Sequence, residues 1–197
     1  MRYKVIHIYG ASGSGTSTLG EEISKRYDYF HMDTDDYYWL PTDPRFSKKR
    51  SIEERLFLMK RDIKAHDAVV ITGSLVDWGD ELIPYFDLAI RVVTDQSVRL
   101  ERIHMREKER FGPRIETGGD MFEQHVEFMN WAAKYDTGDV SMRSKANHDE
   151  WQKRLMCRQI EVDGGKPMEE IMKAIRAPTS TDKNTENSVI REEYFAK

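Results

Sequence analysis

The sequence is poor in cysteine and has no large excess of charge of either sign. Cys157 is the only cysteine among 197 residues, so no internal disulfide can form, and we expect a reducing compartment and a core position for this side chain. The formal net charge of -4 is too small to indicate a nucleic-acid-binding surface or an acidic, solvating chain. We therefore expect no nucleic-acid partner.

Long hydrophobic runs are also absent. No apolar stretch approaches the roughly 20 residues of a membrane-spanning helix, and Met1 leads directly into strand-like sequence rather than a signal peptide. We expect a cytoplasmic protein with no membrane partner. The length suits one domain with a complete core, which we assign to residues 1–176. A tail rich in Thr, Ser and Asn follows over 177–197 and is predicted to be flexible.

The most informative stretch is rich in glycine and follows a short apolar run that begins at Val5. Gly10, Gly13 and Gly15 permit positive φ and close backbone approach, so successive N–H groups can form a cradle for a polyphosphate. The spacing fits a phosphate-binding loop (Gly, four residues, Gly, Lys, Ser or Thr) except that Thr16 replaces the lysine. The residues predicted to bind nucleotide are Gly10, Ala11, Ser12, Gly13, Ser14, Gly15, Thr16, Ser17 and Thr18.

A plain strand-to-helix turn is the alternative interpretation of this stretch, because Gly- and Ser-rich turns are common at such junctions. The context favours phosphate binding. A buried-looking strand precedes the loop, and Leu19 and Ile23 follow it at helical spacing. The first-turn N–H groups and the dipole of that helix would add to the attraction for an anion.

An acidic cluster follows the second predicted strand, at residues 29–32. Asp33, Asp35 and Asp36 are crowded together with aromatic residues. In a parallel sheet, functional residues gather beyond the carboxyl ends of the strands, which is where this cluster would lie beside the loop. A solvated acidic turn is the alternative. We favour a functional site, because carboxylates this close repel unless they share a cation or a substrate hydroxyl.

Arginines recur along a helix predicted over residues 97–114. Arg102, Arg106 and Arg110 are spaced by four, which puts them on one helical face where they could contact a phosphoryl group. The alternative is a surface helix with Glu–Arg pairs. We favour the phosphate role because phosphoryl transfer needs cations over the developing charge and the loop has no lysine. Glycine and proline at 112–113 and glycines at 118–119 predict a lid over residues 99–120.

The ordered motifs resemble those of the P-loop small-molecule kinases, in the adenylate kinase-like group of nucleoside and nucleotide kinases. The resemblance implies an α/β protein with the three-layer αβα P-loop NTPase fold, a five-stranded parallel sheet and a helical lid, using ATP and Mg²⁺. It implies that Ser17 holds Mg²⁺, with Asp33 on metal-bound water, and that Asp35 orients or deprotonates an acceptor hydroxyl. It also implies that Arg102 and Arg106 replace the charge of the missing lysine.

These features predict an ATP-dependent phosphotransferase that acts on a small hydroxyl- or phosphate-bearing acceptor, such as a nucleoside or nucleotide. The alternative is a non-catalytic nucleotide-binding module in which Thr16 marks lost chemistry. A regulatory GTPase is a weaker third hypothesis, because the sequence contains no Asn-Lys-x-Asp motif for reading guanine. The sequence leaves open the acceptor, the choice between ATP and GTP, and the oligomeric state.

Overall fold

A five-stranded parallel sheet forms the centre of the protein in the computed structural model, which describes residues 3–176. The strand order is β2-β3-β1-β4-β5, and every pairing between neighbours is parallel. The strands are β1 (Val5–Gly10), β2 (Phe30–Asp33), β3 (Val69–Thr72), β4 (Leu88–Val93) and β5 (Arg158–Asp163). The predicted α/β class with a five-stranded parallel sheet is confirmed. The predicted tail, 177–197, lies outside the described residues.

Seven α-helices connect and cover the strands within the described residues. They are α1 (Thr16–Tyr27), α2 (Thr34–Tyr38), α3 (Ile52–Ala65), α4 (Gln96–Phe111), α5 (Phe122–Ala133), α6 (Lys145–Trp151) and α7 (Met168–Arg176). Short 3₁₀ turns occur at Asp80–Tyr85, Gly112–Ile115 and Gln152–Arg154. Between residues 3 and 176, no helix has the length and apolar character needed to cross a bilayer.

Local sequence signals predict a helix at α3: Ser51 with Glu54 three positions on forms a capping box, and Ile52, Leu56, Met59 and Ile63 form an apolar stripe at helical spacing. The Ser51 side chain accepts a hydrogen bond from the Glu54 backbone N–H at 3.2 Å, as the predicted helix cap requires. The predicted apolar stripe is buried at Leu56, Met59 and Ile63. The prediction was wrong at Ile52, which is 44% exposed. Ile52 is the first residue of the helix and lies beyond the edge of the core that its neighbours fill.

Both faces of the sheet are covered, because alternate residues of β1 enter two separate cores. Val5 and Tyr9 pack in one core with α3, and Ile6 and Ile8 pack in the other with α1 and α7. Cys157 is partly buried against the first core. Because all five strands are parallel, their carboxyl ends share one edge of the sheet, and the loops at that edge form the candidate site.

Candidate active site

The loop between β1 and α1 has the backbone geometry of an anion cradle. Gly13 and Gly15 have φ values of 78° and 104°, in the region that favours glycine. A Cβ at Gly13 would stand 2.4 Å from the Arg99 carbonyl oxygen. Gly15, the N-cap of α1, has no side chain to bond the first-turn N–H groups. Those groups remain available to an anion.

A hydrogen bond between Ser17 and Asp33 joins the start of α1 to the end of β2. The Ser17 hydroxyl donates to Asp33 Oδ2 at 2.8 Å. The other Asp33 oxygen caps α2 by accepting from the Asp35 backbone N–H at 3.0 Å. The Asp33 carboxylate therefore joins the phosphate-binding loop to the acidic turn, and it fixes the backbone that carries Asp35.

Asp35 lies in a recess among charged groups. Its side chain reaches solvent, yet the surrounding protein desolvates the carboxylate and, together with the neighbouring charge of Asp33, raises its pKa. The guanidinium groups of Arg143 and Arg106 act in the opposite direction, as does a hydrogen bond with Trp39. Two cations therefore act electrostatically on this carboxylate, and Arg143 was not predicted from the sequence.

The arginines predicted on one face of α4 have different surroundings. Arg106 interacts electrostatically with Asp35 and Asp33, and burial lowers the pKa of its guanidinium. Arg102 is exposed and donates from both terminal nitrogens to the Gly164 carbonyl oxygen, each at 3.1 Å. Arg106 therefore lies on the acidic side of the site, and Arg102 lies at the turn after β5. Their role in catalysis stays a prediction.

Arg143, between α5 and α6, reaches the phosphate-binding loop. One terminal nitrogen donates to the Ser12 hydroxyl, and the guanidinium carbon lies 4.6 Å from the ring centroid of Trp131. Its Nε atom is buried and has no hydrogen-bond partner within residues 3–176. No spacing pattern in the sequence marks this residue, because it stands alone between helices. Only the position of residues 139–144 over the loop brings it to the site.

Another arginine, Arg55, is buried near the aromatic residues that follow β2 and β3. Arg55 on α3 is 5% exposed, and its guanidinium carbon lies 3.7 Å from the ring centroid of Tyr38 and 5.3 Å from that of Trp78. The Trp78 indole N–H donates to the Ser74 carbonyl oxygen at 3.2 Å, and its ring packs on the first core. From the sequence, Trp78 could either stack on a base or cap the core; these contacts favour the core-capping role.

The predicted lid, residues 99–120, consists of most of α4, the 3₁₀ turn at Gly112–Ile115 and the turn that follows. Arg114 donates to Asp120 at 2.7 Å and to Asp43 at 3.1 Å. The second contact connects this segment to the loop between α2 and α3. Movement of the segment as a lid stays a prediction.

Similarity to known proteins agrees with this architecture. No family model matches the sequence. The chain is 42% identical over 160 residues to the uncharacterized protein YqaC of Bacillus subtilis (strain 168), and the match covers 81% of this chain and 88% of YqaC.

Three solved structures share the fold. Shikimate kinase from Acinetobacter baumannii, in complex with shikimate, has a TM-score of 0.50 and 14% identity, covering 88% of this chain and 93% of that one. Shikimate kinase from Bacteroides thetaiotaomicron has a TM-score of 0.52 and 14% identity, covering 89% and 99%. A gluconokinase from Sinorhizobium meliloti 1021 has a TM-score of 0.50 and 20% identity, covering 86% and 87%. Because the identities are this low, the structural similarity shows a common fold and nothing more.

Proposed function

The chain belongs to the family of the Bacillus subtilis protein YqaC, and we propose that it is an ATP-dependent phosphotransferase for a small acceptor bearing a hydroxyl or phosphate group. The observation that carries the proposal is the contact between the two halves of the site. Ser17 on the loop bonds Asp33 at 2.8 Å, and Asp33 in turn fixes the backbone of Asp35 at 3.0 Å. A donor loop and an acidic acceptor side are thereby adjacent, as in-line transfer requires.

The Ser17–Asp33 pair fits Mg²⁺. No group of three or more His, Cys, Asp or Glu side chains suited to a metal occurs within residues 3–176. Mg²⁺ suits such a site, since it is usually bound through one or two protein oxygens together with phosphate oxygens and water. Bound there with ATP, Mg²⁺ would neutralise charge on the phosphates. Ser17 would supply a direct oxygen ligand, and Asp33 would hold a metal-bound water.

Asp35 has the properties of a group that accepts the proton of an acceptor hydroxyl. Its raised pKa makes the carboxylate a better proton acceptor than an ordinary aspartate, and the backbone contact with Asp33 orients it. In the proposed reaction, the acceptor oxygen bonds to the terminal phosphorus of ATP, the bond from that phosphorus to the ADP oxygen breaks, and the hydroxyl proton passes to Asp35.

In this proposal, Arg106 and Arg102 of α4 act on different sides of the site, the acceptor side and the donor side. Arg106, which interacts with Asp35 and Asp33, would act over the transferring group and the acceptor. Arg102, which is bound to the turn at Gly164, would act on the donor side. The names of the solved neighbours, shikimate kinase and gluconokinase, support a small-molecule acceptor without identifying it.

The test is an ADP-release assay with Mg-ATP and a panel of sugars, hydroxy acids, nucleosides and nucleotides. We expect one chemical class to stimulate ADP release. Asp35→Asn should reduce that rate by about 10²–10⁴-fold, the usual contribution of a positioned acid or base. Asp36→Asn is the matched control, because it changes a neighbouring exposed carboxylate, and we expect it to keep the rate.

The replacement of the loop lysine by Thr16 favours a second candidate function, a nucleotide-binding module without catalysis. Tight binding of ATP with no ADP release under any acceptor would support that candidate and contradict the kinase. Equal losses in the Asp35→Asn and Asp36→Asn variants would contradict the role of Asp35 while leaving a kinase in place.

A further inference from the structure

A phosphate-binding loop without its lysine must obtain a positive charge from elsewhere if it is to carry phosphoryl transfer. Three arginines surround the loop and the acidic turn: Arg102, Arg106 and Arg143. Their hydrogen bonds and burial differ, and these differences indicate which of them can stand over the transferring group.

Arg102 bonds the turn after β5 and no side chain of the loop, although one of its terminal nitrogens lies 3.8 Å from where a Cβ on Gly15 would stand. It is exposed, and both terminal nitrogens are occupied by the Gly164 carbonyl oxygen at 3.1 Å. Arg106 interacts with the carboxylates of Asp33 and Asp35, and the like charge of Arg110 opposes its own. Its contacts therefore lie on the acceptor side of the site.

Arg143 alone among the three bonds a side chain of the loop. Its guanidinium donates to the Ser12 hydroxyl, interacts electrostatically with Asp35, and lies against the ring of Trp131 at 4.6 Å. It therefore bonds the donor loop and also acts electrostatically on the acceptor carboxylate, the two groups between which the phosphoryl group would move. The Nε atoms of Arg143 and Arg106 are both buried without a hydrogen-bond partner within the described part of the chain, so the bond to Ser12 is what distinguishes Arg143.

The segment that carries Arg143 is held by buried hydrogen bonds. The next residue, Ser144, caps α6 by accepting from the Asn147 backbone N–H at 3.0 Å, and its hydroxyl donates to the Asp139 carbonyl oxygen at 2.6 Å. Further along α6, the buried ring of His148 bonds Ser74 Oγ at 3.1 Å, at the end of β3. Arg143 is thus positioned before any ligand binds, and preorganised charge is the most effective kind in a site.

We propose that Arg143 supplies, from outside the loop, the positive charge that a lysine at position 16 would supply, by contacting the terminal phosphate of bound ATP. This inference rests on the proposed nucleotide-dependent phosphotransferase function. An arginine suits the task because its planar fork can bond two phosphate oxygens while it remains charged. The residue takes no part in bond making and holds the terminal phosphate between the loop and Asp35.

The test compares the affinity of the full chain for Mg-ATP and Mg-ADP by isothermal titration calorimetry, so it needs no knowledge of the acceptor. The Arg143→Ala variant should bind Mg-ATP at least about tenfold more weakly, since a hydrogen bond to a charged group contributes about 1.5–3 kcal/mol. Affinity for Mg-ADP should change by less than about threefold, because ADP lacks the terminal phosphate. Arg154→Ala, which removes an exposed arginine paired with Asp80, is the matched control.

A second substitution separates this role from acceptor binding. If Arg143 replaces the loop lysine, adding Thr16→Lys to Arg143→Ala should restore a substantial part of the Mg-ATP affinity. The Arg143→Gln variant, which keeps much of the side chain but removes its charge, should also bind Mg-ATP more weakly with little change for Mg-ADP, and it keeps the test valid if the alanine variant fails to fold.

Three outcomes would overturn the inference. Unchanged Mg-ATP affinity in a folded Arg143→Ala variant would assign the residue to the acceptor side. Equal losses for Mg-ATP and Mg-ADP would indicate a general effect on the loop. Failure of Thr16→Lys to restore affinity would show that the two positions do not supply the same charge. A wild-type chain that binds neither nucleotide would instead refute the proposed function, and this inference with it.

Discussion

Two histidines in the interior should make the protein lose stability in mild acid. His7 on β1 is completely buried between the rings of Tyr9 and Phe86, and His148 on α6 is buried with both ring nitrogens bonded. Burial lowers the pKa of each to about 3 from 6.5, and for His148 the charges of Arg143 and Arg91 act in the same direction. Both rings are therefore neutral in the folded protein across the physiological range.

The direction of the effect follows from proton binding. As the pH falls below 6.5, the unfolded chain takes up protons at these rings, and the folded chain does not until the pH nears 3. The stability that the neutral rings confer is fully present above 6.5 and declines as the pH falls toward 3. Between pH 7 and 5, each histidine lowers the free energy of unfolding by about 2 kcal/mol, and the pair by about 4 kcal/mol. The raised pKa of Asp35 offsets part of this loss.

Urea unfolding monitored by tryptophan fluorescence at pH 7, 6 and 5 measures this loss. The His148→Gln variant should lose about half as much stability as the wild type between pH 7 and 5, whatever its stability at pH 7. Tyr135→Phe removes the 2.7 Å hydrogen bond to His148 while leaving the ring buried, so it should keep the wild-type pH dependence. Equal stability of the wild type at pH 7 and 5 would refute the reasoning, because it would mean that both rings take up protons without unfolding.

Two substitutions test how the loop and α3 are held. Gly164→Ala would place a Cβ 2.3 Å from the Ser14 carbonyl oxygen of the loop, so we expect a loss of about 1–3 kcal/mol from overpacking together with weaker nucleotide binding. Gly165→Ala, where the nearest atom is a side-chain oxygen at 3.1 Å, should have little effect in the same unfolding and titration experiments. Ser51→Ala should cost about 1 kcal/mol in urea unfolding by removing the α3 cap, and Ser51→Gly only a few tenths; unchanged stability of the Ser51→Ala variant would show that the cap contributes nothing.

Much of the fold could be predicted because its signals are local. The apolar run before Gly10 predicted the strand β1, and the helical spacing of Leu19 and Ile23 predicted the helix α1. Buried strands and capped helices carry their patterns within a window of about ten residues. The failure at Ile52 has a local cause, since the helical pattern continues to the first turn although the core ends before it.

The candidate site was only partly predictable, because its members come from distant parts of the chain. The loop and the Asp33–Asp35 turn were predicted, since each is a short motif beside a strand. Arg143 was missed. It lies 131 residues from its partner Ser12, and no periodic pattern marks it. Spacing predicted that Arg102 and Arg106 lie on one face of α4, but it could not predict their partners. Arg102 bonds the Gly164 carbonyl oxygen, whereas Arg106 interacts electrostatically with the acidic turn.

A positive charge supplied by Arg143 and one supplied by a lysine of the loop would be held in place by different parts of the protein. A loop lysine is fixed by the same backbone that binds the phosphates, so its charge is present whenever the loop is folded. Arg143 is fixed instead by the Ser144 cap and by the His148 bond to Ser74. On the proposed assignment, the phosphate site is complete only when these hydrogen bonds hold the segment that carries Arg143. Tight binding of the terminal phosphate then depends on buried hydrogen bonds outside the loop, because Thr16 leaves the loop without a charge of its own.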